Sequence, residues 1–165
     1  MNPSELLADS VADLDPAAEF TTRGRTITEA DLTSFSALTG DWHPQHCDAE
    51  WASQSRFGSR VAHGMLVLSY ALGLVPFDPD RVVVLRGLES VSFKRPVAIG
   101  DTIRVAVRVQ DVRPLDEETA LVRLALRIRN QADELVARAV VAAVWRRPEA
   151  TAPGDPEPEL EEVFL

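Results

Sequence analysis

The stretch His63 to Val75 constrains this chain more than any other. It runs through Met65, Leu66, Val67, Leu68, Tyr70, Ala71, Leu72 and Leu74 without a charged residue and is stopped by Pro76. A helix that is apolar on nearly all sides cannot lie on a surface; it must be covered by other structure. The cover follows in the sequence, because after Pro79 the period changes. Val82–Leu85, Gly87–Arg95, Thr102–Val112, Ala120–Asn130 and Leu135–Arg146 are mostly Val, Leu, Ile and Arg in loose alternation. Turn signals at Gly100-Asp101, Asp116-Glu117 and Gln131-Ala132-Asp133 separate the later segments, as expected for strands of one antiparallel sheet. Helices first and strands later give an α+β layer in which a long antiparallel sheet curls around a central helix. One sheet over one helix leaves its far edge open, so an edge-to-edge homodimer is expected.

Upstream, Phe20 to Ile27 has the β-branched character of a strand. Thr28-Glu29-Ala30-Asp31 then supplies a capping hydroxyl with an acid three residues on. A helix should follow with Leu32, Phe35 and Leu38 on one face and end at Gly40, and Asp48-Ala49-Glu50-Trp51-Ala52 reads as another capped turn. A length of 165 residues suits one domain. We divide it into an acidic N-terminal segment (1–19) with a short amphipathic pattern at Leu6, Leu7, Val11 and Leu14, a body (20–147), and a Pro-rich acidic C-terminal tail (148–165).

Charge follows the same division. The chain carries −9 in total, but five acids lie in 1–19 and six in 148–165, with no base in either. The body therefore holds 15 acids against 17 bases and is net +2, compatible with a phosphate-bearing ligand, while the total charge argues against nucleic acid. No apolar run is long enough to cross a bilayer and the N-terminus lacks signal-peptide character, so no membrane partner and a cytoplasmic address are expected. Cys47, the single cysteine, rules out an internal disulfide and a cysteine-based zinc cluster; a small filler is the better reading for it than a nucleophile.

The chemically dense segment is Thr39-Gly40-Asp41-Trp42-His43-Pro44-Gln45-His46-Cys47-Asp48, a loop held by Gly40 and Pro44 that can aim Asp41 and His46. A second cluster, Ala62-His63-Gly64-Met65, opens the central helix with a small residue and leaves outward backbone N–H groups. Together with Phe57-Gly58 and Val97-Ala98-Ile99-Gly100-Asp101-Thr102, these residues resemble the MaoC-like (R)-specific enoyl-thioester hydratases of the hotdog fold over about residues 20–146. The family pattern Gly-Asp-x-Asn-Pro-x-His-x-Asp implies Asp41 and His46 as catalytic pair and Gly64 as backbone oxyanion donor. It also implies an acyl thioester, carried on coenzyme A or acyl carrier protein, as substrate. His43 stands where the family has asparagine; it is a structural substitute, an added acid/base group, or a mark of altered chemistry.

Hydration of a 2-enoyl thioester needs a base for water, an acid for the α-carbon and hydrogen bonds for the enolate oxygen, which these three residues supply. Neither metal nor redox cofactor is called for. Trp42, His43, His63, Met65 and Ser69 are the candidate substrate-binding residues, although His63 can equally fix the turn before the helix and Ser69 can bond back to the helix backbone. Lys94, Arg95 and Arg86 are candidates for carrier phosphates or ordinary solvated charges. Two rival functions share the residues: a hotdog thioesterase, and a catalytically weak partner subunit or acyl-thioester-binding module.

Overall fold

Ten elements build the computed structural model, which describes residues 19–147; the acidic segments expected at either end lie outside the described residues, save Glu19. In chain order they are β1 (Glu19–Thr21), β2 (Arg25–Thr26), α1 (Glu29–Thr39), α2 (Pro44–Cys47), α3 (Ala49–Ser53), α4 (Gly64–Leu74), β3 (Val82–Phe93), β4 (Thr102–Pro114), β5 (Thr119–Arg129) and β6 (Leu135–Arg146). The sheet is antiparallel in the order β1-β4-β5-β6-β3, with β2 pairing the end of β4. This is the expected α+β architecture, the hotdog fold, with α4 packed against the buried face of the sheet.

Alternation explains the two faces. Val105, Val107, Val122, Leu124, Leu126, Val141, Ala143 and Trp145 point inward and join Leu66, Val67 and Ala71 of α4 in one core. Arg127 and Arg138, directly paired, are exposed on the outer face. Outward-facing Leu121, Ala142 and Val144 make a small separate apolar cluster. Among the described residues no helix is long and apolar enough to cross a membrane.

Helix α1 forms where its caps dictate. Thr28 and Asp31 complete a reciprocal capping box, and Gly40 ends the helix in the left-handed conformation at φ 77°, its N–H donating to the Ser36 carbonyl. Leu38 departs from expectation: it is 83% exposed, while Ser36 is buried beside Leu32. At about 100° per residue, position 38 falls some 240° around from Leu32, whereas position 36 returns to within about 40° of it. The single strand expected over Phe20–Ile27 is split into β1 and β2. At the intervening Gly24 a Cβ would lie 2.9 Å from Thr102 Cγ2, so the side chains of β4 occupy the space that a larger residue would need. Strand β3 is continuous where two segments were expected, and the interruption at Arg86 survives as a register shift between Leu85 and Gly87. Helix α4 buries Leu66, Val67, Leu68 and Ala71 but exposes Met65, Ser69 and Gly73, a stripe at four-residue spacing.

Candidate active site

Just past α1, Asp41 accepts the His43 N–H on Oδ1 (3.2 Å) and is otherwise open to solvent, its side chain 52% exposed. His43 is the N-cap of α2: its Nδ1 accepts the Gln45 N–H (3.1 Å), and Pro44 occupies the first helical turn, where a missing N–H costs nothing. The His43 carbonyl accepts the N–H of His46 (2.9 Å) and the Cys47 thiol (3.1 Å), which accounts for the cysteine as a local packing residue. His46 is thereby set on a single rigid turn.

Both ends of that turn are tied to the segment before α4. The Gln45 side chain, buried, donates from Nε2 to the Ser59 carbonyl (3.1 Å), and the Gln45 carbonyl accepts the Val61 N–H. His46 Nδ1 lies 2.6 Å from the Val61 carbonyl. A carbonyl only accepts, so Nδ1 carries the proton and the neutral ring presents its lone pair on Nε2. Burial lowers the His46 pKa below the usual imidazole value, aided by the neighbouring His63 and His43 and opposed by the Val61 bond and the Asp41 charge. At neutral pH His46 is therefore an unprotonated base.

His63, the N-cap of α4, is 3% exposed and stacks on His46 with centroids 3.8 Å apart. Its Nε2–H donates to the Asp41 carbonyl (3.1 Å), with Ser36 Oγ at 3.2 Å and Asp41 Oδ2 at 4.0 Å. Its Nδ1 is buried without a partner among the described residues. The buried core residue Trp145 likewise has an unpartnered Nε1 among the described residues. One donor atom each from Asp41, His46 and His63 lies within 4.8 Å of the others. A metal sits about 2.0–2.1 Å from a ligand nitrogen and in the plane of its ring. Rings stacked 3.8 Å apart and tilted by only 26° cannot both meet that condition. The two rings are therefore not arranged to share one ion.

A cleft of about 420 Å³ opens against this group, lined by His46, Gly64, Phe57, Phe93, Val97 and the exposed cations Arg56, Lys94 and Arg95, among others. Gly64 begins α4, so its N–H belongs to the first turn, whose amides have no intrahelical acceptor and carry the positive end of the helix dipole. The fold thus brings Asp41, His46 and His63 together, and of the predicted residues His46 and Gly64 line the cleft while Asp41 and His63 stand behind it. It does not gather Trp42 (53% exposed), Met65 (51% exposed) or Ser69, none of which lines the cleft. Ser69 Oγ donates back to the Met65 carbonyl (2.7 Å), the helix-bonded of its two readings. His43 packs edge-on against Trp51 and caps α2 rather than lining the cleft. Arg86 also lies outside the lining, while Arg95 pairs with Glu134 at 3.3 Å. Ser36, Gln45, Val61 and Phe93 are site-building residues that sequence reasoning missed.

The family model described as MaoC like domain matches residues 13–130. Protein MaoC of Klebsiella aerogenes is 40% identical over 56% of this chain and 28% of its own length. The (R)-specific enoyl-CoA hydratase of Rhodospirillum rubrum is 37% identical over 54% of this chain and 62% of its own length. A solved structure described as a monoamine oxidase regulatory protein from Archaeoglobus fulgius superposes with a TM-score of 0.79 at 36% identity, covering 84% of this chain and 95% of that one. The chain belongs to the MaoC-like dehydratase family. It matches less than two thirds of the length of the first curated relatives, as the shares above show.

Proposed function

We propose that this protein is a hydro-lyase that reversibly hydrates a 2-enoyl thioester to the 3-hydroxyacyl thioester, with coenzyme A or acyl carrier protein as the carrier. The observation that carries this reading is that His46, its pKa lowered by burial, and Gly64 at a helix start line one cleft, with an Asp41 carboxylate oxygen within 4.8 Å of a His46 ring nitrogen behind it. The name of the Rhodospirillum rubrum relative supports the same chemistry.

The steps follow from the atoms. The His46 Nε2 lone pair takes a proton from water as the water oxygen bonds to the β-carbon. The π electrons of the double bond shift onto the thioester oxygen, where the Gly64 N–H and the α4 dipole stabilise the enolate; a donor of this kind typically contributes about 3 kcal/mol. The enolate collapses, and the α-carbon takes up the proton held by the Asp41–His46 pair. One water has been added and the enzyme returns to its starting state. His63 holds the Asp41 backbone by its Nε2–H and, stacked on His46, fixes the orientation of that ring.

A homodimer completes the proposal. β3 forms one edge of the sheet, and its Val83, Val84 and Leu85 are each about half exposed, with Leu88 and Val91 more than a third exposed. An open edge of that length and apolarity invites pairing with a second copy. Incubation with a panel of enoyl and 3-hydroxyacyl thioesters, followed by mass spectrometry, should show gain or loss of one water. Release of free thiol without that change would instead make the protein a thioesterase. Binding without either change would make it an acyl-binding module or a partner subunit.

A further inference from the structure

Phe93 ends strand β3 and lines the cleft, yet no step above uses it. Its ring lies directly over the start of α4: a Cβ built on Gly64 would stand 2.9 Å from Phe93 Cε2 and Cζ and 3.0 Å from Cε1. The ring therefore fills the space that any larger residue at position 64 would claim, beside the amide assigned to the enolate oxygen. It is not a core side chain, for it is 49% exposed.

The strand is shaped to put it there. In the β3–β6 pairing Glu89 faces Val140 and Ser92 faces Arg138, so Ser90 and Val91 together oppose Ala139 alone. Two residues against one is a β-bulge, a device that bends a strand and re-aims the side chains beyond it. Ser90 adopts φ 51°, a left-handed conformation that a non-glycine residue takes up only under constraint from its surroundings. Three observations thus coincide: a bulge, a strained residue within it, and an aromatic ring three positions later seated on the glycine of the site.

We propose that Phe93 is a specificity-determining residue that bars acyl groups branched at the α-carbon. The inference rests on the hydration reading: a thioester oxygen on the Gly64 amide places its α-carbon one bond from the carbonyl carbon, next to the ring. A straight enoyl chain passes the ring edge, whereas a methyl group on the α-carbon competes with it for the same volume. Discrimination by one methyl in an apolar site typically amounts to about 10–200-fold.

The test compares wild type, Phe93→Leu and Phe93→Ala on crotonyl-CoA and on its 2-methyl-branched analogue. The ratio of kcat/KM for branched over linear substrate is expected to rise at least about tenfold in Phe93→Ala and by an intermediate amount in Phe93→Leu. Crotonyl turnover should stay within about tenfold of wild type. An unchanged ratio, or equal loss of both substrates in both variants, would overturn the proposal. If wild type hydrates neither these substrates nor any other enoyl thioester of the panel, the hydration reading fails, and calorimetric affinities for butyryl-CoA and isobutyryl-CoA still decide the role of Phe93. Phe93→Ala should then gain at least about fivefold for the branched ligand relative to the linear one, and an unaltered preference would refute it.

Discussion

Helix α1 has an aspartate at each end, and the two have opposite surroundings. Asp31, in the first turn, accepts from the Thr28 N–H (2.7 Å), the Thr28 hydroxyl (2.8 Å), the Tyr70 hydroxyl (2.6 Å) and the Arg25 guanidinium (3.0 Å). Arg25 in turn lies 4.1 Å above the Tyr70 ring. Burial alone would raise the Asp31 pKa, but the bonds from Tyr70 and Thr28 and the charge of Arg25 outweigh it and hold the carboxyl below its usual range. Asp41, just beyond the other end, accepts one recorded backbone N–H and keeps most of its carboxylate open. A saturated carboxylate has no capacity left for chemistry and ties α1 to α4. An under-saturated one contributes little to stability and can still bind water or a proton. The same side chain is a clamp in one place and, in the function proposed, a reagent in the other.

The contrast can be tested from its strongest consequence downward. Asp41→Asn and His46→Ala should each lower turnover of a 2-enoyl thioester by about 10²–10⁴-fold; the melting temperature should change by no more than about 2 °C in Asp41→Asn, and fall by about 3–6 °C in His46→Ala, where the Val61 carbonyl loses its donor. In Asp41→Asn, a turnover loss matched by a large melting shift would show that Asp41 is a second clamp. Asp31→Asn should do the reverse. Loss of a charged acceptor and part of a capping box costs about 1–2 kcal/mol, a fall of about 3–6 °C, while the rate per folded molecule stays within about threefold.

Acid should separate the two regions as well. With the His46 pKa depressed, its neutral form persists below pH about 6.5, and kcat/KM should fall only as pH drops through that lowered value. Asp31 also has a depressed pKa, so its contribution to stability is present above about pH 3.9 and is lost as pH falls through its folded value. Activity should therefore fail well before this clamp opens, and coincident loss of rate and of near-UV circular dichroism on acid titration would contradict the separation. The smallest effect is expected at Leu38→Ser, which removes an exposed side chain and should change stability by under about 0.5 kcal/mol, measured by denaturant midpoint.

Features governed by near neighbours were legible from the residues alone. The Thr28–Asp31 capping box, the glycine stop at Gly40, the Asp48 cap of α3 and the sheet around α4 all follow from spacing of a few positions or from period. Leu38 misled because an apolar residue near the right spacing need not share the buried stripe. Contacts between distant segments were not legible. Ser36 meets His63 across 27 positions and His46 meets the Val61 carbonyl across 15. No local pattern distinguishes the serine under a histidine from a solvated one, or a carbonyl that fixes a tautomer from any other. Phe93 reaches Gly64 only because a bulge turns the strand. The candidates for the reacting groups came from the motif, whereas the tautomer of His46 came from packing.

The pair of bonds joining Gln45 to Ser59 and Val61 carries one more consequence. Because Val61, whose carbonyl holds the His46 proton, also donates its own N–H to the residue before His46, base and anchor belong to one cooperative unit. In amide hydrogen exchange the two strands of that lacing should lose protection together, as a single foldon. The catalyst would then be either fully assembled or locally melted, with no half-aligned population to squander substrate.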